Sequence, residues 1–216
     1  MSKTKIENSK APNPLNFEAA ADALRRGDVI VFPTETLYGL GADALNHQAV
    51  EKIFQLKGRD AKNPIPVLVD GPKMLRNVVA EIPPLARKLM DRFWPGPLTL
   101  VLPARQDLPK PLLNASGGIA VRISSQPIAM QLVQALGRPL TATSANPSGE
   151  EPARTLQEAK NYFAGKVKVF LDGGRLNSKS GSTVVEVVGD DIKIIREGDI
   201  AAFELERVLE KGKCYR

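Results

Sequence analysis

Apolar residues fall into short runs and stripes along the chain, and the period of each predicts its element. After a leader containing Pro and Asn, Asn16 is placed to cap a helix through "FEAAADALRR", with Gly27 as its stop. "DVIVFP" is continuously apolar and β-branched, the pattern of a buried strand. Asn46 precedes "HQAVEKIFQLK", where Val50, Ile53 and Phe54 share one face and Gly58 ends the helix. "IPVLV" predicts a further strand, "PKMLRNVVA" and "PLARKLMDRFW" predict helices, and "WPGP" a rigid turn. "LTLVL" and "IAVRI" follow as strands, then the helix "PIAMQLVQALG" between Pro127 and Gly137. "PLTAT" reads as a strand and Thr155 opens the helix "LQEAKNYF". "VKVFL", "STVVEVV" and "IKIIR" are strands, the last two joined as a hairpin at Gly189, Asp190 and Asp191, and "AAFELERVLEK" is a final helix. With no internal repeat, this order predicts one α/β domain over residues 16–211 with a mixed twisted sheet, between a flexible leader (1–15) and a basic tail (212–216).

The composition, 43% apolar and 25% charged over 216 residues, belongs to the globular class. No apolar run is long enough to span a membrane and the first residues are polar, so the expected location is cytoplasmic. Cys214 is the single cysteine, which excludes an internal disulfide and a cysteine metal cluster. The net charge of +6 changes the picture less than its size suggests. Lys3, Lys5 and Lys10 against Glu7 at the start, and Arg207, Lys211, Lys213 and Arg216 against Glu210 at the end, leave the body at only +1. Total charge therefore does not argue for a nucleic-acid surface.

Three segments resemble nucleotide motifs. Gly39 to Ala44 fits the glycine pattern of a dinucleotide-binding turn, with Asp60 at a tolerable distance for a ribose ligand. That turn must leave its strand directly for a helix, yet Pro33 to Tyr38 intervene, so Gly39 and Gly41 read as a close-packed turn. "GGRLNSKS" is one glycine short of a phosphate loop and runs into a strand rather than a helix, which rejects it. The third is "KGR" with "SAN". Lys57 continues the stripe of Val50, Ile53 and Phe54, which aims it toward the interior side; a cation at the helix C-terminus with its ammonium in water is the plainer reading of that position alone.

Four predicted strand ends add weight. Thr34 follows "VIVFP", Arg122 lies near the end of "GIAVRI", Ser144 and Asn146 follow "PLTAT", and Arg196 ends "IKIIR". Ligands of open α/β sheets bind at carboxyl ends of strands, and hydroxyl, amide and guanidinium groups there suit a triphosphate and a small carboxylate.

Taken in order, "FPTETLYGLGADA", Lys57 with Arg59, "WPGPLTLVLPA", "IAVRISSQPIAMQL", "TATSANPSG" and "STVVEV" before "IIREG" resemble the YrdC-like threonylcarbamoyladenylate synthase family, from about Phe17 to Asp199. The resemblance implies a YrdC-like α/β fold with a large basic concave cleft, in the short form without the extra C-terminal domain of long members. It implies synthesis of threonylcarbamoyl-AMP and pyrophosphate from L-threonine, bicarbonate and ATP, with Mg²⁺, for the threonylcarbamoyladenosine modification of tRNA. The product would pass to downstream tRNA threonylcarbamoyl-transfer proteins. By position, Thr34, Arg122 and Ser182 would hold threonine, and Lys57, Arg59, Ser144, Asn146 and Arg196 would contact ATP. Asp60 departs from the proline many members have there, and "NPIPVLV" lacks a histidine that some carry.

The implied chemistry joins two anions, since the threonine carbamate attacks the α-phosphate as pyrophosphate leaves. Positioning and charge neutralisation by Lys57, Arg59 and Mg²⁺ suffice, with no protein nucleophile. His47, the single histidine, opens a helix and is expected in solvent. "GGRLNSKSGS", residues 173–182, is the candidate lid over a water-sensitive adenylate. Two other readings are a structured-RNA-binding module on the same fold and carbamoyl transfer of the hydrogenase-maturation type, the latter embedded elsewhere in much longer proteins.

Overall fold

A computed structural model describes residues 16–59, 64–178 and 180–213, with side-chain environments in the last helix through Leu209. The expected leader, Asp60, Lys179 and Cys214 lie outside the described residues. In chain order the elements are α1 (Phe17–Arg25), β1 (Ile30–Pro33), β2 (Tyr38–Gly41), α2 (His47–Lys57), β3 (Val67–Leu68), α3 (Pro72–Leu75), α4 (Pro84–Phe93), β4 (Leu98–Pro103), β5 (Gly118–Arg122), α5 (Pro127–Leu136), β6 (Leu140–Thr141), β7 (Thr143–Ser144), α6 (Leu156–Phe163), β8 (Val169–Phe170), β9 (Thr183–Val188), β10 (Asp191–Arg196) and α7 (Ala202–Lys213). The tail expected from residue 212 thus begins inside α7.

The expected caps form. Asn16 and Asn46 accept from the N–H groups of Ala19 and Ala49, and Thr155 closes a reciprocal capping box with Glu158. Gly58 and Gly137 end α2 and α5 in the left-handed conformation. His47 is exposed, as its place in the first turn of α2 predicts. The helix predicted from Pro72 stops at Leu75, because the chain beyond it turns to pair with the end of β4: Ala80 donates to the Pro103 carbonyl.

The strands form two mixed sheets rather than one. The first has the order β7-β2-β1-β8 and the second β10-β9-β4-β5-β3-β6. The single strand expected at "PLTAT" is split at Ala142, so that β6 pairs with β3 in the second sheet and β7 with β2 in the first. Ala142 donates to the Pro66 carbonyl at the crossing. Period-2 patterning cannot reveal such a split, because the residues on both sides remain strand-like.

The expected turn at Gly39 and Gly41 is instead β2, antiparallel to β1. The glycines serve packing: a Cβ on Gly41 would stand 2.7 Å from the Phe32 ring and 3.1 Å from Leu140. Phe32 and Tyr38 are fully buried here, so the close approach of ring to backbone is part of the core. No helix follows β2 directly, which removes the dinucleotide turn.

Candidate active site

Strand ends from both sheets meet at a cavity of about 550 Å³. Its lining includes Thr34 after β1, Arg122 at the end of β5, Ser144 at the end of β7, Arg196 at the end of β10, and Arg59 and Ser182. The described lining carries three arginines and no carboxylate. Six of the eight expected residues therefore share one wall, and Lys57 and Asn146 stand behind it.

Lys57 is only 3% exposed, so the apolar stripe of α2 does carry it inward rather than to water. Its ammonium donates to the Ser144 carbonyl at 2.5 Å and the Asn146 carbonyl at 2.7 Å. Its own carbonyl accepts from Ser148 N–H at 2.8 Å, so one residue ties the end of α2 to the "SANPSG" turn at three points. Asn146 tightens the same turn by donating to the Pro147 and Glu150 carbonyls at 2.9 and 2.7 Å, while its Oδ1 is buried without a hydrogen bond. Desolvation, then repulsion from Arg59, pushes the Lys57 pKa down to about 7.

The other cations are crowded as well. Burial lowers the Arg59 pKa and Arg196 lowers it further; burial likewise lowers that of Arg196, with Arg122 as the repelling neighbour. Arg59 reaches Thr143 Oγ1 at 3.4 Å and the Pro64 carbonyl at 3.3 Å. Arg196 Nη2 donates to the carbonyl and hydroxyl of Ser182 at 2.8 and 3.1 Å. Thr99, fully buried in β4, donates to the same Ser182 hydroxyl at 3.0 Å. With two donors on its oxygen, Ser182 keeps its own O–H to donate.

The Thr34 hydroxyl donates to the Leu37 carbonyl at 2.8 Å and accepts from the N–H groups of Thr36 and Leu37 at 3.2 Å each. It thus shapes the 34–37 turn while lining the cavity. The candidate lid begins on a fixed base. The Tyr38 hydroxyl lies 2.8 Å from the Gly174 carbonyl and accepts from Gly173 N–H at 2.9 Å. A Cβ on Gly173 would meet Pro33 at 2.5 Å, and burial raises the Tyr38 pKa to about 12. Ser180, Gly181 and Ser182 reach the cavity from the other end of the segment.

From sequence, the Pro33 to Tyr38 segment as a whole is expected to bind substrate, with only Thr34 given a role in it; Glu35 and Tyr38 have no role of their own, and Thr99 and Ser124 are not expected at the site. Thr99 carried a signal, a hydroxyl within the otherwise apolar "LTLVL"; the others contribute through tertiary contacts.

A model of the Sua5–YciO–YrdC family, described as telomere recombination, matches residues 22–198. Threonylcarbamoyl-AMP synthase of Pyrococcus abyssi is 38% identical over 190 residues, 88% of this chain and 56% of that protein. That of Bacillus subtilis is 35% identical over 205 residues, 94% of this chain and 59% of that protein. The chain thus spans less than two thirds of the length of either relative. The crystal structure of Pyrococcus abyssi Sua5 complexed with L-threonine superposes with a TM-score of 0.85 at 38% identity, covering 89% of this chain and 56% of that one. In sequence and in fold, with strand-end arginines around one cavity, the chain belongs to the Sua5–YciO–YrdC family.

Proposed function

We propose that the chain makes threonylcarbamoyl-AMP and pyrophosphate from L-threonine, bicarbonate and ATP. The observation that carries this is the cluster of Arg59, Arg122 and Arg196 on a cavity with no carboxylate in its described lining. Burial and a neighbouring guanidinium lower the pKa of Arg59 and of Arg196, and a triphosphate with an amino-acid carboxylate offers the anions that such guanidinium groups bind bidentately. A cavity of this volume suits a nucleotide better than a nucleic-acid duplex.

In this reading Arg122 pairs the threonine carboxylate, with Thr34 and the free O–H of Ser182 beside it. Arg59 and Arg196 hold phosphates, and Ser144 contacts the nucleotide. Lys57 and Asn146 act from behind, Lys57 by fixing the "SAN" turn through the Ser144 and Asn146 carbonyls. The carbamate formed on the threonine nitrogen attacks the α-phosphorus; the new O–P bond forms as the bond to the β-phosphate oxygen breaks and pyrophosphate departs. Fixed cations stabilise charge on the departing oxygens without reorganising. Among the described residues no group of three or more His, Cys, Asp or Glu side chains stands together. Mg²⁺ would arrive on the phosphates, where it supplies further charge neutralisation. Residues 173–182 would shield the adenylate, and its consumers would be downstream tRNA threonylcarbamoyl-transfer proteins in the cytoplasm.

The test is incubation of the purified protein with ATP, bicarbonate and labelled threonine, read by pyrophosphate release and by the mass of the adenylate. Product is expected only when all three are present. Pyrophosphate release independent of threonine or bicarbonate would refute the reaction.

A further inference from the structure

Glu35 sits in the 34–37 turn and helps line a second, open cavity with Gln126, Arg175 and Asp199. Its side chain is 13% exposed, and its Oε1 lies 3.2 Å from Nη1 of Arg122, itself 6% exposed. Ser124, two residues beyond Arg122, donates its hydroxyl to Glu35 Oε2. The Ser124 oxygen in turn accepts from Gln126 N–H at 3.2 Å. One carboxylate therefore joins the turn after β1 to the loop after β5.

The pair neutralises charge without saturating the guanidinium. Arg122 Nε and Nη1 and Glu35 Oε1 are buried and make no hydrogen bond, because the 3.2 Å contact is out of alignment. A buried arginine needs a counter-charge, whereas one saturated by its partner has fewer donors left for a ligand. Arg122 also stands close enough to Arg196 to repel it, so the carboxylate behind Arg122 lets the two guanidinia share a site.

We infer that Glu35, seated by Ser124 and the Thr34 turn, is the positioning residue of Arg122 and sets recognition of the amino-acid carboxylate. This rests on the function proposed above. Its signature is a split between substrates. Glu35→Gln keeps size but removes the counter-charge, so Arg122 loses its orientation while the cavity gains net positive charge.

The experiment measures threonine KM, ATP KM and kcat for wild type, Glu35→Gln, Glu35→Asp and Ser124→Ala, with thermal unfolding as a control. For Glu35→Gln, threonine KM is expected to rise about tenfold or more, the scale of a lost charged contact, with ATP KM unchanged or lower. Ser124→Ala should shift threonine KM the same way but less, and Glu35→Asp should recover part of the loss. An unchanged or lower threonine KM in both Glu35→Gln and Ser124→Ala overturns the inference, as does an equal rise in both KM values, which marks a merely structural role. A wild-type protein with no threonine-dependent pyrophosphate release fails the functional reading itself, a result distinct from an active wild type with insensitive variants.

Discussion

Lys57 is the residue at which local and tertiary physics differ most. Its folded pKa near 7 lies below the ordinary 10.5, so between these values the unfolded chain holds a proton that the folded chain has shed. More protons on the unfolded state means that stability from this group rises with pH across that window. Lys57→Met should therefore flatten the rise in unfolding free energy from pH 7 to 10 by a few kcal/mol, the scale of such a shift in a buried lysine, measured by denaturant titration against wild type. At the cavity wall, Arg59→Ala and Arg196→Ala are each expected to cut pyrophosphate release by about two orders of magnitude or more with the fold intact, as loss of a preorganised charge does. Near wild-type turnover with an unchanged circular dichroism spectrum would remove either arginine from the phosphate site. The spacing of Val50, Ile53 and Phe54 aims Lys57 toward the interior side, but the plainer reading of that position, an ammonium in water, is overturned by its burial. Its partners were not legible in the sequence, because the Ser144 and Asn146 carbonyls lie 87 and 89 residues away.

At the scale of elements, β2 shows what glycine patterns leave open. Gly39 and Gly41 fit a nucleotide turn in sequence, yet they lie flat in a strand so that the Phe32 ring can rest on the backbone. Gly41→Ala should destabilise the protein by about 1–3 kcal/mol, the usual cost of overpacking. Phe32→Leu in the same chain should recover part of that loss, since the clash is with the ring. Additive losses in the double variant, read by thermal or denaturant unfolding, would show that the Phe32 ring is not the reason the strand needs glycine there. Helix ends, by contrast, were legible at single positions. Asn16, Asn46 and Thr155 act on N–H groups three residues on, a range over which sequence and space coincide.

For the whole molecule, the cavity depends on both sheets at once: Gly39 and Ser144 come from the first, Thr99, Arg122 and Arg196 from the second. A ligand that bridges them stabilises the folded chain by mass action, so ATP at a hundredfold excess over its Kd should add about 2.7 kcal/mol to the unfolding free energy. Unfolding followed over increasing ATP tests this, and Arg59→Ala should lose most of the gain. The chain's order of strands and helices, its caps and the polar groups at four strand ends were set by local spacing and residue chemistry. Tertiary structure alone decided that Ala142 carries the chain from one sheet to the other, that Lys57 locks the "SAN" turn from behind, and that Glu35 stands against Arg122. Each of these is a meeting of residues far apart in sequence, fixed by burial and charge pairing that no local period encodes.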